Sequence, residues 1–180
     1  MLTISVAGSD LRLPYRANHA LDQPNAAIEH LVIAIHGSNT GLRDAPPTYV
    51  CLFDAARSVG DVESKTLILV PQFLTTEDML AYHLGGDVLR WSSGGWTWGE
   101  ESLVASGYTR ATHISSFAIL DRILERLTSR TLFPNLTSVV IAGISSGGQF
   151  VQRFGGEFQF NAFHGQELGI LTRQSVFGVG

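Results

Sequence analysis

The chain has a single cysteine, few charges and no long apolar run. Because Cys51 stands alone, no disulfide can form within the chain. It reads as a buried thiol on a helix, and no elbow or base motif surrounds it that would make it catalytic. No apolar stretch approaches the length of a bilayer span. The N-terminus shows no charged segment leading into a long apolar run, so the expectation is a soluble, cytoplasmic protein without a signal peptide. Only 16% of residues are charged, the formal net charge is -4, and no basic cluster occurs. Nucleic acid and anionic membrane are therefore not expected as partners.

What is present is a globular composition. Hydrophobic residues make up 44% of 180 residues, which suits one domain with a substantial core. Leu2 to Ala7 and Leu11 to Tyr15, separated by Gly8-Ser9-Asp10, predict a hairpin. Ala17 to Ile28 reads as a polar connection. Leu31 to Ile35 and Thr66 to Val70 predict buried strands. Between them Val50, Phe53 and Ala56 fall near one face of a helix that Pro46-Pro47 would start. Strand, helix and strand in that order imply a parallel crossover.

From Leu74 to Tyr108 no clear period is visible. Trp91, Trp96 and Trp98 lie in this stretch, and they either line a pocket or fill the core of the loop. Asp78, His83 and Asp87 match no metal-ligand spacing, so no metal site is expected. Glu100-Glu101, Asp54 and Asp121 read as surface residues. Ile114, Phe117, Leu120, Leu124 and Leu127 then recur every three or four residues and predict an amphipathic helix.

The chemistry concentrates in Ser138 to Phe154. Val139 to Ala142 is a short β-branched run that predicts a buried strand. Gly143, Gly147 and Gly148 permit a sharp turn, and Phe150, Val151 and Phe154 return at helical spacing. The frame is Gly143-x-Ser145-x-Gly147 between a strand and a helix. In such a nucleophile elbow the serine hydroxyl projects above the sheet, and the flanking glycines avoid collisions as the helix folds back. The competing reading is a glycine-rich turn with no chemistry, or one that holds a phosphate. A dinucleotide-binding motif fits worse, because the glycine order is Gly-x-x-x-Gly-Gly and falls late in the chain.

From strand-His36-Gly37 through strand-Pro71-Gln72-Phe73, the Trp-rich loop and the amphipathic helix to the elbow, the chain resembles the α/β-hydrolase superfamily. It is similar in particular to small esterase-like members, over about Leu31 to Phe154. The resemblance implies an α/β fold: a three-layer, mainly parallel sheet of α/β-hydrolase type lacking the C-terminal strands. It implies a serine hydrolase acting on an ester or related acyl bond of a small-molecule substrate, with no cofactor. Peptidase, acyltransferase and lipase chemistry would use the same scaffold.

Residue by residue, Ser145 matches the nucleophile and the amide of Ser146 one oxyanion donor. The turn His36-Gly37-Ser38 matches the oxyanion loop, so Gly37 or Ser38 would supply the second amide. His36 reads as structural rather than as the base. Ile144 departs from the polar residue, often His, that precedes the nucleophile in this superfamily.

The larger departure follows the elbow. The family order is Ser, then Asp or Glu, then His. After Ser145 the chain offers Glu157, Glu167 and His164 and no Asp. His164 is the candidate base, with Glu167 a weaker candidate acid, but the segment around them resembles no family segment. Residues 1–154 therefore read as the N-terminal portion of an α/β-hydrolase and 155–180 as an atypical tail, of the kind a frameshift or an early stop would produce. Without replacement strands in that tail, the elbow strand would lie near an unprotected edge and the chain would be poorly stable. A non-catalytic fold remnant or binding module is the alternative function.

Overall fold

In the first sheet, alternation decides which side of the strands is buried. Strands β1 (Leu2–Val6) and β2 (Ser9–Leu13) pair antiparallel, with Leu2 opposite Leu13 and Val6 opposite Ser9. Leu2, Ile4 and Leu13 are buried. Ala7 and Gly8 make the two-residue connection, with φ of 47° and 78°. That sign at both central residues matches the twist of a tight hairpin. The expected hairpin is therefore present, one residue shifted at its turn. A computed structural model describes residues 1–37, 50, 51, 54, 62–104, 113–157 and 167–173.

Pro14 has no N–H for a ladder and interrupts the strand that was expected to run on to Tyr15. The chain re-forms as β3 (Tyr15–Ala17), a strand the sequence did not announce. It joins a second sheet with β4 (His30–Ile35), β5 (Thr66–Pro71), β6 (Ser138–Ile144) and β7 (Glu167–Arg173). The order is β3-β5-β4-β6-β7. β3 is antiparallel to β5, and the other four strands are parallel to one another. The architecture is thus α/β with a mixed sheet.

Register builds the core. Leu31 lies between Leu67 and Val139, and Ile33 between Leu69 and Ile141. All six are buried on one face. Against them pack helix α3 (Ser116–Leu127), through Ile119, Leu120, Ile123, Leu124 and Leu127, and helix α4 (Ser146–Glu157), through Phe150, Val151 and Phe154. Ser115 caps α3 by accepting from the amides of Phe117 and Ala118. The five positions that predicted this helix are all buried.

Two short elements stand where no period was visible. Helix α2 (Thr76–Ala81) begins with a reciprocal capping box between Thr75 and Asp78, and Gly95–Trp98 forms a 3₁₀ turn. A further short helix, α1 (Val62–Lys65), leads into β5.

The helix expected after Pro46 lies mostly outside the described residues; positions 50, 51 and 54 are helical. Cys51 is exposed there rather than buried, and Val50, expected on the apolar face, is also exposed. Spacing alone does not say which face of so short a pattern turns inward.

The tail contains a strand. β7 pairs with β6 in parallel along its whole length, from Ser138–Glu167 to Ile144–Arg173. The elbow strand β6 therefore has a partner on each side, β4 and β7. Among the described residues no helix is long and apolar enough to cross a membrane.

Candidate active site

Ser145 is a single left-handed residue between β6 and α4, with φ of 53°. For a residue with a Cβ this conformation costs about 1–2 kcal/mol. The turn is sharp enough that the strand and the helix nearly touch. A methyl group on Gly143 would lie 2.6 Å from the amide nitrogen of Gly148 and closer still to the Gly147 carbonyl. A methyl on Gly147 would lie 2.5 Å from the His36 carbonyl oxygen and closer still to that of Ile35. Each glycine of the motif thus has a steric reason. Gly143 lets α4 fold back on its own strand, and Gly147 lets it pass the end of β4.

The same turn leaves donors without partners inside the helix. The first bond within α4 runs from the Gln149 amide to the Ser145 carbonyl, at 3.2 Å. The amides of Ser146, Gly147 and Gly148 precede it and have no acceptor inside the helix. Their dipoles favour negative charge beside the Ser145 side chain, which is exposed.

Topology brings the second half of the site to this place. β5 lies on one flank of β4 and β6 on the other, so the chain reverses its direction of sheet growth at β4. Open α/β sheets bind ligands at such a switch, outside the carboxyl ends of the strands. Gly37 follows β4 there and Ser145 follows β6. A methyl on Gly37 would lie 3.6 Å from the Ser145 Cβ, an ordinary contact. The two glycine turns expected to act together are therefore neighbours. Ser38 lies outside the described residues.

His36 is buried at the same rim. Its Nε2 accepts the Phe73 amide at 3.0 Å. An amide can only donate, so the proton sits on Nδ1, which donates to the Gly37 carbonyl at 2.7 Å. Both ring nitrogens are occupied, in keeping with a structural imidazole. The ring also rests against Trp96, with centroids 5.0 Å apart.

The tryptophans divide. Trp91 and Trp96 are buried and fill the loop core, where Trp96 stacks on Phe73 at 5.4 Å. Trp98 is exposed, with the Arg153 guanidinium 3.3 Å above its ring. Arg153 also donates to the Thr97 carbonyl at 2.8 Å and so fastens α4 to the 3₁₀ turn.

The remaining polar candidates have other employment. Asp78 caps α2. Asp87 pairs with Arg12 through both carboxylate oxygens, one bond measuring 2.7 Å, and this hydrogen-bonded guanidinium holds its pKa below the ordinary carboxylate value. His30 is bonded to the Ser138 hydroxyl at 2.7 Å and His113 to the Ser102 carbonyl at 2.7 Å. Glu100, Glu101, Asp54 and Asp121 are exposed, as expected. Ile144 is exposed beside Ser145. Among the described residues no group of three His, Cys, Asp or Glu could hold a metal ion.

His30, His36 and His113 are bonded elsewhere. His164 lies outside the described residues. Glu167 is opposite Ser138, at the amino end of β6 and about 20 Å along the strand from the elbow. As an orienting acid it is at the wrong rim, because the parallel register starts β7 where β6 starts. What sequence reasoning missed is the Phe73 contact of His36, which depends on β4–β5 pairing and has no local signal.

Compared with protein-family models, with curated proteins and with solved structures, the chain matches none of them.

Proposed function

We propose that this chain is a serine hydrolase of α/β-hydrolase type, acting on an ester or related acyl bond of a small molecule. The observation that carries the reading is the left-handed Ser145, poised between a parallel strand and the helix that follows, next to Gly37. Backbone strain at a hydroxyl-bearing residue is a reason to look for chemistry there. In the proposed reaction Ser145 Oγ attacks the acyl carbon and loses its proton to a base. Negative charge collects on the carbonyl oxygen, which the Ser146 amide and an amide of the Gly37-Ser38 turn stabilise. The ester C–O bond then breaks as the base returns its proton to the leaving alcohol oxygen, and water, giving a proton to the same base, attacks the acyl-serine, so that the acid leaves and Ser145 Oγ takes the proton back. Losing one such donor costs about 10²–10³ in rate.

His164 is the candidate base on resemblance alone. Without a base, oxyanion stabilisation and binding would leave roughly 10³–10⁴ over the uncatalysed rate. In the same reading the five-stranded sheet is the core of a three-layer hydrolase fold. The lone, exposed Cys51 suits a reducing cytoplasm. The test is turnover of a short-chain p-nitrophenyl ester. The expected result is saturable hydrolysis lost in Ser145→Ala; hydrolysis unchanged by that substitution contradicts the proposal.

A second reading is a non-catalytic remnant or binding module. It draws on the place of Glu167, opposite Ser138 at the amino end of β6 and away from Ser145. Correct folding without ester turnover or serine labelling would support it.

A further inference from the structure

We infer that His36 is a positioning residue that sets the direction of the Gly37 carbonyl beside Ser145. This rests on the reading of Ser145 as a nucleophile and goes beyond it.

Gly37 is the residue of the β4 turn nearest the serine, its would-be methyl being 3.6 Å from Ser145 Cβ. Glycine lets the peptide that follows it rotate at little steric cost. Rotated toward Ser145, the Gly37 carbonyl would bring a partial negative charge where an oxyanion must form, and an acceptor there opposes catalysis. The His36 Nδ1–H bond at 2.7 Å draws that oxygen toward the buried imidazole.

The ring is itself held from three sides. Phe73 donates to Nε2 at 3.0 Å, which selects the Nδ1–H tautomer. Trp96 lies at 5.0 Å and Phe73 at 6.3 Å between ring centroids. The Phe73 bond joins the carboxyl ends of β5 and β4, so the Trp-rich loop and the turn beside Ser145 are set as one unit. A ring held so firmly can orient a peptide without touching substrate.

Two substitutions separate orientation from mere filling of space. In His36→Asn a side-chain N–H takes the place of Nδ1–H and keeps the Gly37 bond. In His36→Gln the amide oxygen takes the place of Nε2 and keeps the Phe73 bond, while the Gly37 bond is lost. Each variant, shown to be folded by circular dichroism, is reacted with a fluorophosphonate and the rate of Ser145 labelling is measured. The expected result is that His36→Asn keeps most of the wild-type rate and His36→Gln slows labelling by at least about tenfold. Equal rates in the two variants overturn the inference while leaving the Ser145 reading intact. A wild-type chain that is never labelled sinks the Ser145 reading instead. The imidazole ¹⁵N spectrum of the wild-type chain then decides the tautomer without any variant. A protonated Nδ1 with an unprotonated Nε2 supports the clamp, and the reverse tautomer overturns it.

Discussion

A methyl group on Gly147 would come within 2.5 Å of the His36 carbonyl oxygen. The helix after Ser145 thus passes the end of β4 with no room for a side chain. Gly147→Ala must push α4 off the sheet, and a cost of about 3 kcal/mol or more is expected, at the upper end of overpacking effects. Gly156, in the last turn of the same helix, has nothing among the described residues within 4 Å of the same methyl. Gly156→Ala should stabilise by up to about 0.5–1 kcal/mol, because glycine is a poor helix former. Urea unfolding of the two variants checks the opposite signs.

Ser145 carries a positive φ with a Cβ attached. Glycine relieves that conformation and alanine does not. Ser145→Gly should therefore be more stable than Ser145→Ala by about 1 kcal/mol, and both should be unreactive. Equal stability of the two would mean that the elbow is unstrained.

Gly37 differs from the elbow glycines. Its would-be methyl meets Ser145 Cβ at 3.6 Å and the Ile144 carbonyl oxygen at 3.8 Å, both ordinary contacts, and its φ is not left-handed. Gly37→Ala should fold with stability within about 1 kcal/mol of the wild type. It would take up space beside the serine that a bulky probe must enter, so serine labelling should slow by at least about tenfold, roughly the effect of 1.4 kcal/mol on a barrier. Unchanged labelling would separate this turn from the site.

Arg12 and Asp87 tie the hairpin to the segment after α2. Hydrogen bonding to Arg12 lowers the folded-state pKa of Asp87 below its unfolded value. The pair therefore contributes stability above the unfolded pKa of about 3.9, and the contribution is lost as pH falls through the folded value. Both side chains are partly exposed, so Asp87→Asn should cost only about 0.5 kcal/mol at pH 7 and less in high salt. The difference from wild type should shrink in acid; a cost that persists below about pH 2 would assign the effect to packing.

The elbow was legible in the sequence because its causes are local. A β-branched run, three glycines and a returning helical period all fall within Ser138 to Phe154. The hairpin, β4, β5 and α3 were legible for the same reason. β3 was not, since three residues gain strand structure only by pairing with β5, far along the chain. β7 likewise owes its form to β6. Spacing places Val50 inward and a lone thiol is expected to be buried at Cys51, yet both are exposed, because neither signal identifies the core side of a helix. The glycine turn at Gly37 was legible as a motif. The His36 bridge from that turn to Phe73 was not, because only parallel pairing of β4 and β5 brings those residues together.

Covalent capture tests the nucleophile most directly. The folded chain is treated with a fluorophosphonate and the modified peptide identified by mass spectrometry. An activated Ser145 predicts one adduct, on that side chain, abolished in Ser145→Ala. A folded wild-type chain that stays unlabelled, or that is labelled equally after the substitution, would contradict it.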